Sequence, residues 1–333
     1  MKTRITMITA LVLIVALLAV SVSFASQPRL FVSFPGGPGV GSTLMDTAAA
    51  TVGFLNLAFA DRINFTPEAS AGGPDNITRV SLGEVEMASA MSADIHEAFR
   101  GIGFFEGNPL PNIRGVGFFT RAITHAVTLR GSGITSVEDF AGRRIGVGGH
   151  GSGAATLHER LFTSLGMWDQ INPQFLSGAD QAAAIRDGHI DVLMWSMGVP
   201  GALVMDIAAS RDIELIDVVT PAKAAGFFDD FPALQTFTIS SGSYRDVGYD
   251  VPAIANMVFW IANKDFCPDL LYELMEAVYS EEGLEHLQNT FAPLRDMREA
   301  DGTQGFTIPL HVGAERFWRN RGIEIREEIR AID

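Results

Sequence analysis

With one cysteine, Cys267, in 333 residues, the chain has no partner for an intramolecular disulfide and no cysteine set for a zinc cluster. Its folded state therefore rests on packing. Its seven histidines include no pair at His-x-x-x-His or His-x-His spacing, so a metal centre has no ligands at the usual intervals. Basic residues are scarce: 24 Lys and Arg stand against 39 Asp and Glu, a net charge of −15 that offers no footprint for a phosphate backbone. A nucleic-acid partner is not expected. Beyond residue 25 no apolar run reaches the roughly 20 residues that a membrane-spanning helix needs.

What is present fits a folded chain, 47% hydrophobic and 19% charged, whose length suggests about two domains. Lys2 and Arg4 precede an apolar run from Ile8 to Val20, and Ser23-Phe24-Ala25 follows as a small-x-small site, the layout of a secretory signal. Cleavage after Ala25 is expected, and with it export to the periplasm. Removing residues 1–25 takes away two basic side chains and no acid, so the exported chain is more negative still.

Two periodicities alternate along the rest. Leu30 to Phe34 reads as a strand, Ser42 to Phe59 as an Ala-rich helix and Asn64 to Pro67 as a short extended piece. Thr135 and Glu138 have helix-start spacing, Gly142 is a stop, and Arg144 to Gly148 is a strand. Such units build parallel sheets covered by helices. Val80 to Ala88 and Ala184 to Val192 share one order: a helix end, a glycine suited to a left-handed cap, then an acidic residue before an apolar strand. Gly-rich turns at Gly36 to Gly41 and Gly146 to Gly153 add to this likeness, so two lobes on one plan are expected. The chain then crosses between them on extended segments, through His125 to Leu129 and back through Asn256 to Ala262. Ligands in open α/β sheets bind beyond strand carboxyl ends, where the two turns face a cleft.

Gly146-Val147-Gly148-Gly149-His150-Gly151 satisfies G-x-G-x-x-G between a strand and a helix, but no acidic strand end follows about 20 residues later, as a dinucleotide site demands. Continued as Ser152-Gly153-Ala154, the turn presents backbone amides and a hydroxyl at a helix N-terminus, an anion site; a turn that merely ends a strand is the plainer alternative. Gly36 to Thr43 occupies the matching place in the first half and lacks the lysine of a Walker loop. Ser42 and Thr43 fit both N-caps and a carboxylate cradle. Ser152 is not a nucleophile elbow, because His150 and Ala154 stand where glycines are required. Catalysis has no recognisable apparatus and no cofactor is expected. His125, in an apolar strand, reads as a hydrogen-bonded core or hinge residue, and Arg121 as a member of a surface ion pair. Phe104, Phe105, Phe118, Phe119, Phe227 and Phe228 read as packing. Trp195 and Met197, after a strand from Ile190 to Met194, suit a pocket wall, as do Ser89, Met91 and Ser92 after Val85 to Ala88.

At these residues the chain resembles the TAXI family, the solute receptors of TRAP-type transporters. The likeness runs over nearly the whole exported chain: the early Gly-rich turn, Ala71 to Asn76 followed by Leu82-Gly83-Glu84, Ser132-Gly133-Ile134, Asp139 to Ile145, Gly151-Ser152-Gly153, Ile185 to Val192 and Pro309 to Arg316. It implies a type II periplasmic-binding-protein fold: two similar lobes, residues 26–126 with 254–333 and residues 127–253, joined by crossing hinge strands with the ligand in the cleft. It further implies a monomeric receptor that captures a small carboxylate such as glutamate or 2-oxoglutarate and delivers it to TRAP membrane permease subunits. By position, contacts would come from Gly41, Ser42, Thr43, Ser70, Met91, Ser92, Ser152, Gly153, Ala154, Trp195 and Met197. Where the family commonly has a tyrosine pair, this chain has Thr43-Leu44, which makes the pocket less polar. The competing expectation is an exported α/β enzyme with a Gly-rich turn for a nucleotide or phosphate cofactor.

Overall fold

The computed structural model describes residues 29–37 and 42–332; the expected leader at 1–25, Gly41 and most of the first Gly-rich turn lie outside them. Strand β1 (Leu30–Pro35) buries Val32 and Phe34 and leads to helix α1 (Thr43–Ala58), whose alanines let it pack closely through Leu44, Ala48, Val52 and Leu55. Strand β2 (Ile63–Glu68) runs parallel to β1 with Leu30 opposite Ile63. Helix α2 (Gly73–Leu82) ends at Gly83, whose φ of 73° is the left-handed cap the sequence suggested. Strand β3 (Met87–Met91) feeds helix α3 (Ser92–Arg100) with no intervening loop. The long strand β4 (Ile113–Leu129) follows.

The second half repeats this order with β5 (Arg144–Gly146), α4 (Gly153–Ser164), β6 (Asn172–Gln174), α5 (Gly178–Arg186), β7 (Val192–Met197) and α6 (Ala202–Ser210). Then come β8 (Ile213–Leu215), α7 (Val219–Ala224), α8 (Phe227–Asp230), β9 (Leu234–Ile239) and β10 (Val251–Asn263). Helices α9 (Pro268–Val278), α10 (Glu281–Thr290) and α11 (Val312–Asn320) complete the chain.

The sheets are not purely parallel. Strands β5, β6 and β7 pair in parallel, as do β1 and β2, but β4 and β10 pair antiparallel along most of their lengths and recruit β3, β7, β8 and β9 antiparallel. Both long strands pass through more than one core. Phe118, Phe119, Val258 and Trp260 join the core that holds Phe34 and Trp318. Ile123, Val127, Ala253 and Ala255 pack in the core beneath β7 and α6. The Phe119 and Trp260 rings stack 5.9 Å apart where the two strands meet.

The likeness between halves extends to their buried polar groups. Asn76 and Gln181, each the fourth residue of its helix, are fully buried and bond the backbone of the strand that follows: Asn76 donates to Ser89 O at 2.8 Å, and Gln181 accepts from Met194 N at 3.1 Å. Gly188, at φ 73°, ends the α5 segment as Gly83 ends α2. Several expected boundaries shift. The strands run to Met91 and Met197, so Ser89, Met91, Trp195 and Met197 lie within strands rather than beyond them, because the apolar alternation continues past the points chosen from hydrophobic runs. Strand β5 stops at Gly146, before the positive φ of Gly148. The capping box joins Ser136 and Asp139 rather than Thr135 and Glu138, and starts only a short 3-10 turn, Val137–Phe140.

Candidate functional site

Helices α1 and α4, from different halves, point their N-termini into one cavity of about 110 Å³. Their first intrahelical bonds run from Asp46 N to Ser42 O and from Thr156 N to Ser152 O, so the amides of Thr43, Leu44, Gly153 and Ala154 precede the helical ladder. Ser152 caps α4 by accepting from Ala155 N at 3.2 Å, while Ser42 makes no such side-chain cap. The N-terminus of α2, at Gly72 and Gly73, joins the same wall. Met91, Leu157 and Trp195 supply apolar surface, and Ser196 and Asn256 polar surface.

The expected contact residues divide accordingly. Ser42, Thr43, Met91, Ser152, Gly153, Ala154 and Trp195 line the cavity. Met197 lines a larger adjoining one of about 570 Å³ that shares Ser42, Thr43 and Trp195 with the first. Ser70 and Ser92 line neither. Ser70 Oγ sits between Gly36 O and Gly72 N, at 3.1 and 3.2 Å, where it orders the turn before α2. Ser92 is buried, its Oγ 2.8 Å from Ala233 O and 2.9 Å from Asn256 Oδ1, and it accepts from Met257 N at 3.2 Å. Gly41 lies outside the described residues.

The most informative residue is one that sequence reasoning passed over. Asp94, in the first turn of α3, lines the smaller cavity with 8% of its surface exposed. Burial pushes its carboxyl up to about 7, against the attraction of Arg160, while Glu97 adds to the rise. Glycine at 73 leaves room for it, since a Cβ there would collide with Oδ2, and a Cβ on Gly153 would lie 3.6 Å from the same oxygen. Arg160, on α4, is engaged elsewhere: it pairs with Glu97 at 2.7 Å and lies over the Phe231 ring. Among the described residues no basic side chain lines either cavity. An acid in a helix's first turn reads as a routine dipole partner, so no local signal distinguished Asp94. Asn256, in the middle of β10, and Ser196, one residue from the end of β7, were equally silent.

The other polar candidates are structural. His125 is buried, with Nδ1 2.8 Å from Ile123 O and Nε2 2.7 Å from the Tyr244 hydroxyl, which in turn accepts from Gly201 N at 2.6 Å. This chain of bonds holds the start of α6, a wall of the larger cavity. Arg121 pairs with the half-exposed Asp296 at 3.3 Å. Phe105, Phe118, Phe119 and Phe227 are buried, whereas Phe104 is exposed, contrary to the packing expectation, because the 3-10 turn carrying it puts only Phe105 inward.

A family model described as NMT1-like matches residues 38–322. Among solved structures, a periplasmic transporter aligns at 12% identity with a TM-score of 0.50, covering 79% of this chain and 88% of that one. MatC from Rhodopseudomonas palustris, solved with bound malate, aligns at 14% identity and a TM-score of 0.49, covering 80% and 90%. The periplasmic aliphatic sulphonate binding protein SsuA from Escherichia coli aligns at 16% identity and a TM-score of 0.45, covering 91% and 96%. At these identities the likeness is one of architecture: the chain has the mixed α/β fold of periplasmic binding proteins.

Proposed function

The chain belongs to the NMT1-like family, and from that membership and the cleft we propose that it is a periplasmic solute-binding receptor that captures a small carboxylate without transforming it. The observation that carries this reading is the convergence of the α1 and α4 N-termini, from opposite halves, on one cavity. Unpaired helical amides favour an anion, and enclosure strengthens each bond by excluding water. Residues 26–126 with 254–333 form one lobe in this reading and residues 127–253 the other, and solute shifts a pre-existing equilibrium between open and closed arrangements. Contacts come from Gly41, Ser42, Thr43, Met91, Ser152, Gly153, Ala154 and Trp195, with Met197 next door and Ser70 and Ser92 supporting from behind.

The likeness to TAXI receptors supports a finer proposal: glutamate or 2-oxoglutarate as solute, TRAP permease subunits as the membrane partner, and a monomeric receptor exported by a cleaved leader. Thermal-shift screening of amino acids, monocarboxylates and dicarboxylates tests it, because a ligand that binds only the folded state raises the unfolding midpoint. Ser152→Leu should abolish the shift while the fold persists. Unchanged affinity in that variant removes the α4 turn from the site, and stabilisation by cationic solutes alone overturns the carboxylate assignment.

A further inference from the structure

Asp94 is the only ionisable side chain among the described residues that line the smaller cavity, and its carboxylate makes no hydrogen bond to any of them. Leaving a carboxylate buried and unpaired is expensive, and such groups are paired in folded proteins. The nearby cation does not supply the partner, because Arg160 is held by Glu97 at 2.7 Å. Two glycines, Gly73 and Gly153, keep space beside Asp94 Oδ2 that any larger residue would fill. The cavity thus offers an incoming molecule helix amides on one side and a bare carboxylate on another, with no lysine, arginine or histidine among the described residues of its walls.

Building on the receptor reading above, we propose that Asp94 receives a protonated amine of the solute while the α1 and α4 amides hold its carboxylate, so the cleft selects a zwitterionic amino acid with an uncharged side chain. A second carboxylate, as in glutamate or 2-oxoglutarate, finds no basic side chain among the described lining residues to balance it, so this inference keeps the carboxylate receptor but departs from the finer solute assignment that the TAXI likeness supports. The side chain of the solute extends past Trp195 into the larger cavity, whose walls include Met197, Leu203, Phe291 and Pro293. Asp94 is then the residue that separates an amino acid from the 2-oxo acid of the same shape.

The two ligand types also respond oppositely to pH. An amine needs Asp94 ionised, whereas a second anion beside it needs Asp94 protonated. The charged groups acting on Asp94 are Arg160, from α4, and Glu97, from its own helix. With the free carboxyl near 7, acidification from pH 8 to pH 6 should weaken amino-acid binding roughly fivefold or more, and should tighten oxo-acid binding by a similar factor.

Calorimetric titration of the full exported protein with leucine, methionine, glutamate, 4-methyl-2-oxopentanoate and 2-oxoglutarate at both pH values tests this. Support consists of a neutral amino acid bound at least about tenfold more tightly than its 2-oxo acid, a preference erased in Asp94→Asn. Should the variant not fold, the pH response of the unaltered protein decides. Equal affinity for amino and oxo acids, or tighter binding of the amino acids at pH 6, overturns the role of Asp94 and leaves the carboxylate receptor standing. Binding of none of the five overturns both.

Discussion

The Arg160 guanidinium on α4 lies 2.7 Å from Glu97 Oε2 on α3, an ion pair with side-chain exposures of 16% and 7% that ties the two halves together beside the cleft. Glu97 also accepts from Phe104 N at 3.2 Å, and Arg160 covers the Phe231 ring. In the receptor reading this contact forms only when the halves approach, and it stabilises the closed arrangement. Arg160→Ala leaves Glu97 buried without its cation, which in such pairs costs about 3–5 kcal/mol when nothing relaxes. Opening of the cleft relieves that cost. The expected outcome is a larger radius of gyration in solution scattering and a solute Kd raised about tenfold or more. A variant as compact as the parent, with the same Kd, rules out a latch here.

Asp94→Asn should stabilise the folded chain at neutral pH. A carboxyl raised from 3.8 to about 7 binds its proton more tightly folded than unfolded, so its burial is harmless in acid and increasingly destabilising as pH rises between those values. The neutral amide escapes this. Urea unfolding at pH 8 should show a gain on the order of a few kcal/mol, and at pH 4 almost none. A substitution that stabilises the fold and removes amino-acid binding marks a site held against stability for function. Equal midpoints at pH 8 contradict the argument.

Acid should destabilise the chain through three histidines. Burial lowers His125, His158 and His311 to about 4 each, so they remain neutral in the fold while the unfolded chain takes up protons. Their contribution is fully present above about 6.5 and is lost as pH falls toward 4. Protonation is resisted by specific bonds as well: His311 Nδ1 accepts from Gly313 N at 3.1 Å to cap α11, and His125 Nε2 takes the bond from Tyr244. Asp94 opposes this trend with one proton, so Asp94→Asn is the clean background. In it the unfolding midpoint should drop steadily from pH 7 to pH 4.5, and a flat profile contradicts the assignment.

What was legible in the sequence was local. Gly83 and Gly188 announce helix ends because only a residue without a Cβ enters the left-handed region freely, and both do so. Ser152 announces the start of α4 because a cap works within four residues. These signals fixed the order of elements and two sides of the cavity. Asp94 was not legible, since its meaning comes from Gly73 and Gly153, brought to it by two other helices. Ser70, a contact only by the TAXI resemblance, and Ser92, expected after the β3 strand, bond backbone atoms and line neither cavity, which no local pattern reports. The pairing of β4 with β10 depends on segments over a hundred residues apart, and no local periodicity reports it.

The position of Trp195, which walls both cavities, is set from behind by Gln181. Its Oε1 accepts from Met194 N and its Nε2 donates to Leu176 O, each at 3.1 Å, so one buried amide joins α5 to the strand carrying Trp195. A Cβ on Gly146 would collide with that Oε1. Gly146→Ala should therefore displace the Gln181 amide and leave the Met194 N–H buried without a partner, a loss of about 1–3 kcal/mol. The strand shifts with it, and solute affinity falls although no cavity residue has changed. Gly149→Ala serves as the control, since nothing lies within 4 Å of a Cβ there. If the two variants lose stability and affinity equally, Gln181 does not position the wall; if only Gly146→Ala loses both, the buried amide governs the cleft from outside it.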